Sequence, residues 1–103
     1  MSADAYVLVL EARIHVEDSG SLKSKRKVIR SLKDAVRKRF GAAVAEIDGQ
    51  DTWQRSTLLI SLVGDGGGGV GKRAEQLERF IAARCPDGSS FTRDLRSLED
   101  LRG

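Results

Sequence analysis

From Tyr6 to Val16 the chain alternates. Tyr6, Leu8, Leu10, Ala12, Ile14 and Val16 fall on one side, and Val7, Val9, Glu11, Arg13 and His15 on the other. A period of two sustained this long predicts one long, half-buried strand. The period then changes. After the turn Glu17-Asp18-Ser19-Gly20, the residues Leu22, Val28, Ile29, Leu32, Ala35, Val36 and Phe40 recur at spacings of three and four. That spacing predicts a helix from about Leu22 to Phe40 with one apolar stripe. Ser21 can cap it, because a serine hydroxyl accepts from the orphaned N–H groups of the first turn. Gly41 is a suitable stop. Strands are expected at Ala43 to Asp48 and Ser56 to Val63, the latter with Leu58, Ile60 and Leu62 on one face. A second helix is expected from about Lys72 to Arg84, carrying Ala74, Leu77, Phe80 and Ile81 on one side. Pro86-Asp87-Gly88 then turns the chain into a last strand near Ser89, and residues 98–103 read as a flexible charged tail.

The order strand, helix, strand, strand, helix, strand is that of a ferredoxin-like α+β plait. Two crossovers flank a hairpin, giving a four-stranded antiparallel sheet with both helices on one face. At 103 residues the chain has room for one such domain. The other sheet face is then bare. Its outward residues are expected to be Val7, Val9, Glu11, Arg13 and His15, with Val44, Glu46 and Asp48, and Leu59 and Ser61. No aromatic residue stands there, so the face is a poor platform for stacking bases. Val7, Val9, Val44 and Leu59 instead form an apolar patch suited to a second copy, and a homodimer is expected.

Charge is distributed unevenly over this frame. Between Lys23 and Arg39 there are nine Lys/Arg against one acid, Asp34, which makes the segment +8 in a chain whose net charge is only +3. Cations also crowd the start of the helix, where the macrodipole already presents positive charge and acids are the stabilising choice. The helix therefore offers an anionic partner a row of contacts at Lys23, Lys25, Arg26, Lys27, Arg30, Lys33 and Arg37. Such contacts neutralise phosphates without reading sequence. Free N–H groups at the helix start can add an oxyanion site beside Lys23, Lys25 and Arg26. The plainer reading is a solvated outer face. The one-sided sign and the conflict with the dipole favour the anion surface.

Two stretches, Ser-Leu-Lys-Ser-Lys-Arg-Lys-Val-Ile-Arg-Ser-Leu (21–32) and Val-Ala-Glu-Ile-Asp-Gly-Gln-Asp-Thr-Trp-Gln-Arg-Ser-Thr-Leu (44–58), resemble the YlxP-like family, small bacterial proteins of unassigned function. The resemblance runs from the first strand to the last. It implies a ferredoxin-like fold. It also implies an association with transcription-termination and ribosome-maturation genes, hence work linked to RNA or ribosomes. The run of glycines departs from the family, where a less glycine-rich connection opens the second helix.

The hairpin Gln50-Asp51-Thr52-Trp53-Gln54-Arg55 adds a tryptophan among amides and a guanidinium. Trp53 can stack on an unpaired base, and Arg55 can hold a phosphate in bidentate fashion. Trp53 can equally cover a core edge or anchor a dimer. The run Gly64-Asp65-Gly66-Gly67-Gly68-Gly69-Val70-Gly71 matches glycine-rich nucleotide motifs, but Arg73 stands where a P-loop needs Ser or Thr, and the run reads as a flexible connector. His15 is the only histidine and Cys85 the only cysteine, so neither a metal site nor a catalytic triad has its other members.

These features lead to one expectation: a cytoplasmic, non-enzymatic protein with no cofactor, no small-molecule substrate and no membrane span. It binds structured RNA or a ribosomal particle through the first helix, with Trp53 and Arg55 as a local anchor. The alternative is a regulatory module that docks an acidic protein on the same helix.

Overall fold

The computed structural model describes residues 5–16, 20–52 and 54–103. The expected turn at 17–19 and the expected anchor Trp53 lie outside these residues. The elements are β1 (Tyr6–His15), α1 (Leu22–Phe40), β2 (Ala43–Asp48), β3 (Arg55–Gly64), α2 (Gly67–Arg84), β4 (Ser89–Ser97) and α3 (Leu98–Arg102). The sheet order is β2-β3-β1-β4 with every neighbouring pair antiparallel, the expected ferredoxin-like plait.

Alternation in β1 and β3 places Leu8, Leu10, Ala12 and Ile14 beside Leu58, Ile60 and Leu62 under the helices, all buried. From α1 the stripe Ile29, Leu32 and Val36 closes on this layer, and from α2 the stripe Val70, Ala74, Leu77 and Ile81. Such burial, near 25 cal/mol per Å² of apolar surface, is the main term holding the domain together. Among the described residues no helix is long and apolar enough to cross a membrane.

Three expectations are corrected. First, β2 has the opposite phase. Val44 pairs with Ile60 and Glu46 with Leu58. Directly paired residues share a face, so Val44 and Glu46 lie on the helix-covered side, and Ala43 and Ala45 are the residues exposed on the open face. Val44 therefore leaves the expected dimer patch. An irregularity between Glu46 and Asp48 then returns Asp48 to the open side, opposite Thr57.

Second, the glycine run is not a loop. α2 begins at Gly67, five residues before the expected start, and only Asp65 and Gly66 connect it to β3. The reason is Val70, which is 1% exposed and opens the buried stripe of α2. Burying that side chain requires helix around it and offsets a glycine penalty of about 1 kcal/mol per position. A β-carbon on Gly64 would lie 2.4 Å from the Cγ2 of Val70, so glycine there admits the close approach of helix and strand. Arg73 locks the junction, donating to the carbonyls of Val63 at 2.9 Å and Phe40 at 2.7 Å.

Third, residues 98–102 of the expected flexible tail form α3. The Ser97 hydroxyl accepts from the Asp100 N–H, and the Asp100 carboxylate accepts from the Ser97 N–H, each at 3.0 Å. This reciprocal capping box is written in the sequence as Ser-x-x-Asp.

Candidate polyanion-binding face

The site is built on α1. Ser21 caps it, its Oγ accepting from the Ser24 N–H at 3.1 Å, and the Lys25 N–H reaches the Ser21 carbonyl at 3.1 Å. No acid stands in the first turn, while Arg37, Lys38 and Arg39 complement the dipole in the last. Gly41 ends the helix in the left-handed conformation.

Lys23, Lys27 and Arg30 follow one another at spacings of four and three, opposite the buried row Lys25, Ile29, Leu32 and Val36. Lys23, Arg26, Lys27 and Arg30 are exposed, and Lys33 is half-buried at the flank. Among the described residues none of these five makes an ion pair. Arg37 is also exposed but partly engaged, donating to the Val44 carbonyl at 3.0 Å and to Asp34 at 3.5 Å. The row of cations thus survives folding as one stripe on a rigid element.

Lys25 does not belong to it. Its side chain is fully buried, and its Nζ donates to the Glu46 carboxylate at 2.7 Å and to the Gly49 carbonyl at 2.6 Å. Lys25 is therefore withdrawn from the phosphate contacts, and from the expected oxyanion site at the helix start, whose Ser24 and Lys25 N–H groups are also occupied. The Ser56 hydroxyl donates to the same Glu46 oxygen at 2.5 Å. Burial pushes the Glu46 carboxyl up. The hydrogen bonds from Lys25 and Ser56, together with the Lys25 charge, outweigh that and hold it below its ordinary range. The position was legible: Lys25 precedes Ile29, Leu32 and Val36 by four, seven and eleven residues, the spacing of a core position.

The same lysine ties the hairpin to the helix. Gly49, at φ 84°, admits no β-carbon, which would stand 2.6 Å from the Arg55 carbonyl oxygen. The Thr52 N–H closes the turn on the Gly49 carbonyl at 3.0 Å, and the Val16 N–H binds the Gln54 carbonyl at 2.8 Å. Arg55 is exposed beside Asp48 at 3.3 Å, a surface pair of small net strength. It remains accessible to a phosphate.

Pattern reading missed two cations. Arg39 and Arg84 rest over the Phe80 ring, with guanidinium carbons 5.0 and 4.7 Å from its centre. Arg84 follows Phe80 by four residues on α2, a local helical spacing, whereas only the packing of α1 against α2 brings Arg39 to the same ring.

The family model described as Protein of unknown function (DUF503) matches residues 7–89. The chain belongs to the DUF503 family. The matched stretch runs from β1 into the start of β4 and contains both the α1 start and the hairpin joined by Lys25. The Uncharacterized protein YlxP of Bacillus subtilis (strain 168) is 34% identical over 71 residues, covering 69% of this chain and 77% of that protein. Among solved structures, the de novo designed protein Foldit4 aligns over 90% of this chain and 97% of its own with a TM-score of 0.55 at 12% identity. That likeness concerns the fold alone. The de novo designed protein LFR1 1 with ferredoxin fold aligns over 89% of this chain and 85% of its own, with a TM-score of 0.42 at 18% identity.

Proposed function

We propose that this DUF503 protein is a non-enzymatic, RNA- or ribosome-associated accessory protein of the cytoplasm that holds structured RNA on the outer face of α1. One observation carries the reading: Lys23, Arg26, Lys27 and Arg30 stand exposed on one capped helix with no carboxylate partner among the described residues. A face that served only solubility would gain from interspersed acids, through i,i+4 pairs. Here the outer face of the helix carries a single acid, Asp34. Phosphates of a folded RNA match such a stripe in sign and in indifference to sequence.

The test is retention of cellular RNA by the purified protein and by a Lys23→Glu, Arg26→Glu, Arg30→Glu variant. The native protein is expected to retain RNA that salt releases, and the variant to retain none while melting at an unchanged temperature. Equal retention by both refutes the reading. A single acidic protein that stays bound after nuclease treatment replaces RNA as the partner.

A second copy is proposed for the open sheet face. Leu59 and Val63 are 38% and 66% exposed there, beside the half-buried Val7 and Val9. Sedimentation of the native protein and of Val63→Asp tests it, with a dimer converted to a monomer as the expected result.

A further inference from the structure

Between α1 and the C-terminal end of α2 lies a groove of about 290 Å³ lined by Lys27, Val28, Ser31, Leu32, Arg84 and Cys85. That is close to the lower bound of about 300 Å³ for small-molecule sites, so it has room for one ring system and none for a helix or strand. Its floor is apolar. Leu32 and Cys85 are buried, and Val28 is 42% exposed beside them. Burial, and next the Asp87 carboxylate, push the Cys85 thiol up, so the floor carries no charge at neutral pH.

The rim is cationic from both helices. Lys27 belongs to the exposed stripe of α1, and Arg84 comes from the last turn of α2, its guanidinium carbon held 4.7 Å from the centre of the Phe80 ring. An arginine held in this way is fixed in place, with its N–H edge able to hold a phosphate. Ser31 supplies a hydroxyl able to donate to or accept from a base edge. Apolar floor, planar cation, hydroxyl and a second cation continuous with the phosphate stripe together describe a nucleotide. Paired bases are enclosed in their own stack and cannot enter a groove this small.

We infer that this groove takes one unpaired nucleotide of the bound RNA, its base over Val28, Leu32 and Cys85 and its phosphate between Lys27 and Arg84. The inference rests on the reading of α1 as the RNA-binding face and names its substrate class: a stem interrupted by an unpaired residue.

Fluorescence polarisation with two labelled RNA hairpins tests it, one with a fully paired stem and one with a single unpaired uridine added to that stem. The bulged probe is expected to bind about tenfold more tightly, the scale of one stacked base. Ser31→Phe, which fills the groove, is expected to abolish the preference and leave affinity for the paired stem unchanged. In the native protein, alkylation of Cys85 by N-ethylmaleimide is expected to slow with the bulged probe and not with the paired one. Equal, salt-sensitive affinity for both probes overturns the groove assignment and leaves the α1 reading standing. Binding of neither probe at low salt overturns both. Protection of Cys85 by an acidic, phenylalanine-containing peptide but not by the bulged RNA assigns the groove to a protein and overturns the inference.

Discussion

The Nζ of Lys25 meets the Glu46 carboxylate at 2.7 Å beneath the hairpin, with the lysine side chain wholly out of water and the glutamate 16% exposed. The pair joins the first turns of α1 to β2. Through the Gly49 carbonyl it also reaches the loop that precedes Gln50 to Arg55. The two sequence motifs of the family resemblance are thus two ends of one buried contact. Removing one partner strands the other, at a cost of about 3–5 kcal/mol. Lys25→Met keeps the bulk of the side chain and loses the charge. It is expected to destabilise the domain by that amount in urea unfolding, whereas Lys25→Met with Glu46→Leu recovers a large part. A single variant as stable as the native chain contradicts a structural role for the pair.

The pH dependence follows from Glu46. Its carboxyl is held below the range it has in the unfolded chain, because the hydrogen bonds from Lys25 and Ser56 and the lysine charge outweigh burial. The unfolded state therefore binds the proton first on acidification. The stabilisation is fully present above the ordinary glutamate range and is lost as pH falls through the folded value. Glu46→Gln is expected to be clearly less stable than the native protein at pH 7 and to converge with it towards pH 3. Urea midpoints across that interval check this, and parallel curves would contradict it.

Where the sequence was legible, one period dominated. The alternation of β1 and the three-four spacing of α1 are long, and Ser21 and Gly41 mark the helix ends, so elements and topology follow from pattern alone. β2 was legible in extent and misleading in phase: Ala43, Ala45 and Ile47 make one side wholly apolar while Val44, Glu46 and Asp48 put two acids on the other, so pattern alone turns Val44 and Glu46 outward. Pairing with Leu58 and Ile60 decides otherwise. The glycine run misled because propensity pointed to a loop while Val70, the residue that makes it a helix, is a single position whose burial is a tertiary fact. The stripe of exposed cations was legible. Lys25 was legible only by weighing its core spacing above its charge, and the groove between α1 and α2 depends on contacts between distant elements.

Glycine substitutions separate helix from loop in α2. Added β-carbons at Gly68, Gly69 and Gly71 meet nothing within 4 Å, so alanine there gains helix propensity without a clash. Each is expected to stabilise by up to about 1 kcal/mol. Gly64→Ala is expected to destabilise by about 1–3 kcal/mol, the usual scale of overpacking, because its β-carbon lies 2.4 Å from Val70 Cγ2. Thermal melts of the four single variants therefore move in opposite directions. A flexible connector over 64–71 would show little response at any of the four.

The salt dependence of RNA binding counts the cations that take part. Each duplex phosphate neutralised adds about 0.9 to the slope of log K against log salt concentration, and somewhat less for single strands. Alanine at Lys23, Arg26, Lys27 or Arg30 is therefore expected to lower the slope by nearly one at each position, whatever the RNA sequence. Arg37 already donates to Val44 and Asp34 and must give up those bonds to reach a phosphate, so its replacement is expected to change the slope less. Lys25→Met provides the contrast. Its ammonium is sealed under the hairpin, so the variant is expected to lose stability while keeping the full slope under conditions where it is folded. A drop of one for Lys25→Met, equal to that for Arg26→Ala, would mean that the buried lysine leaves Glu46 to meet the RNA.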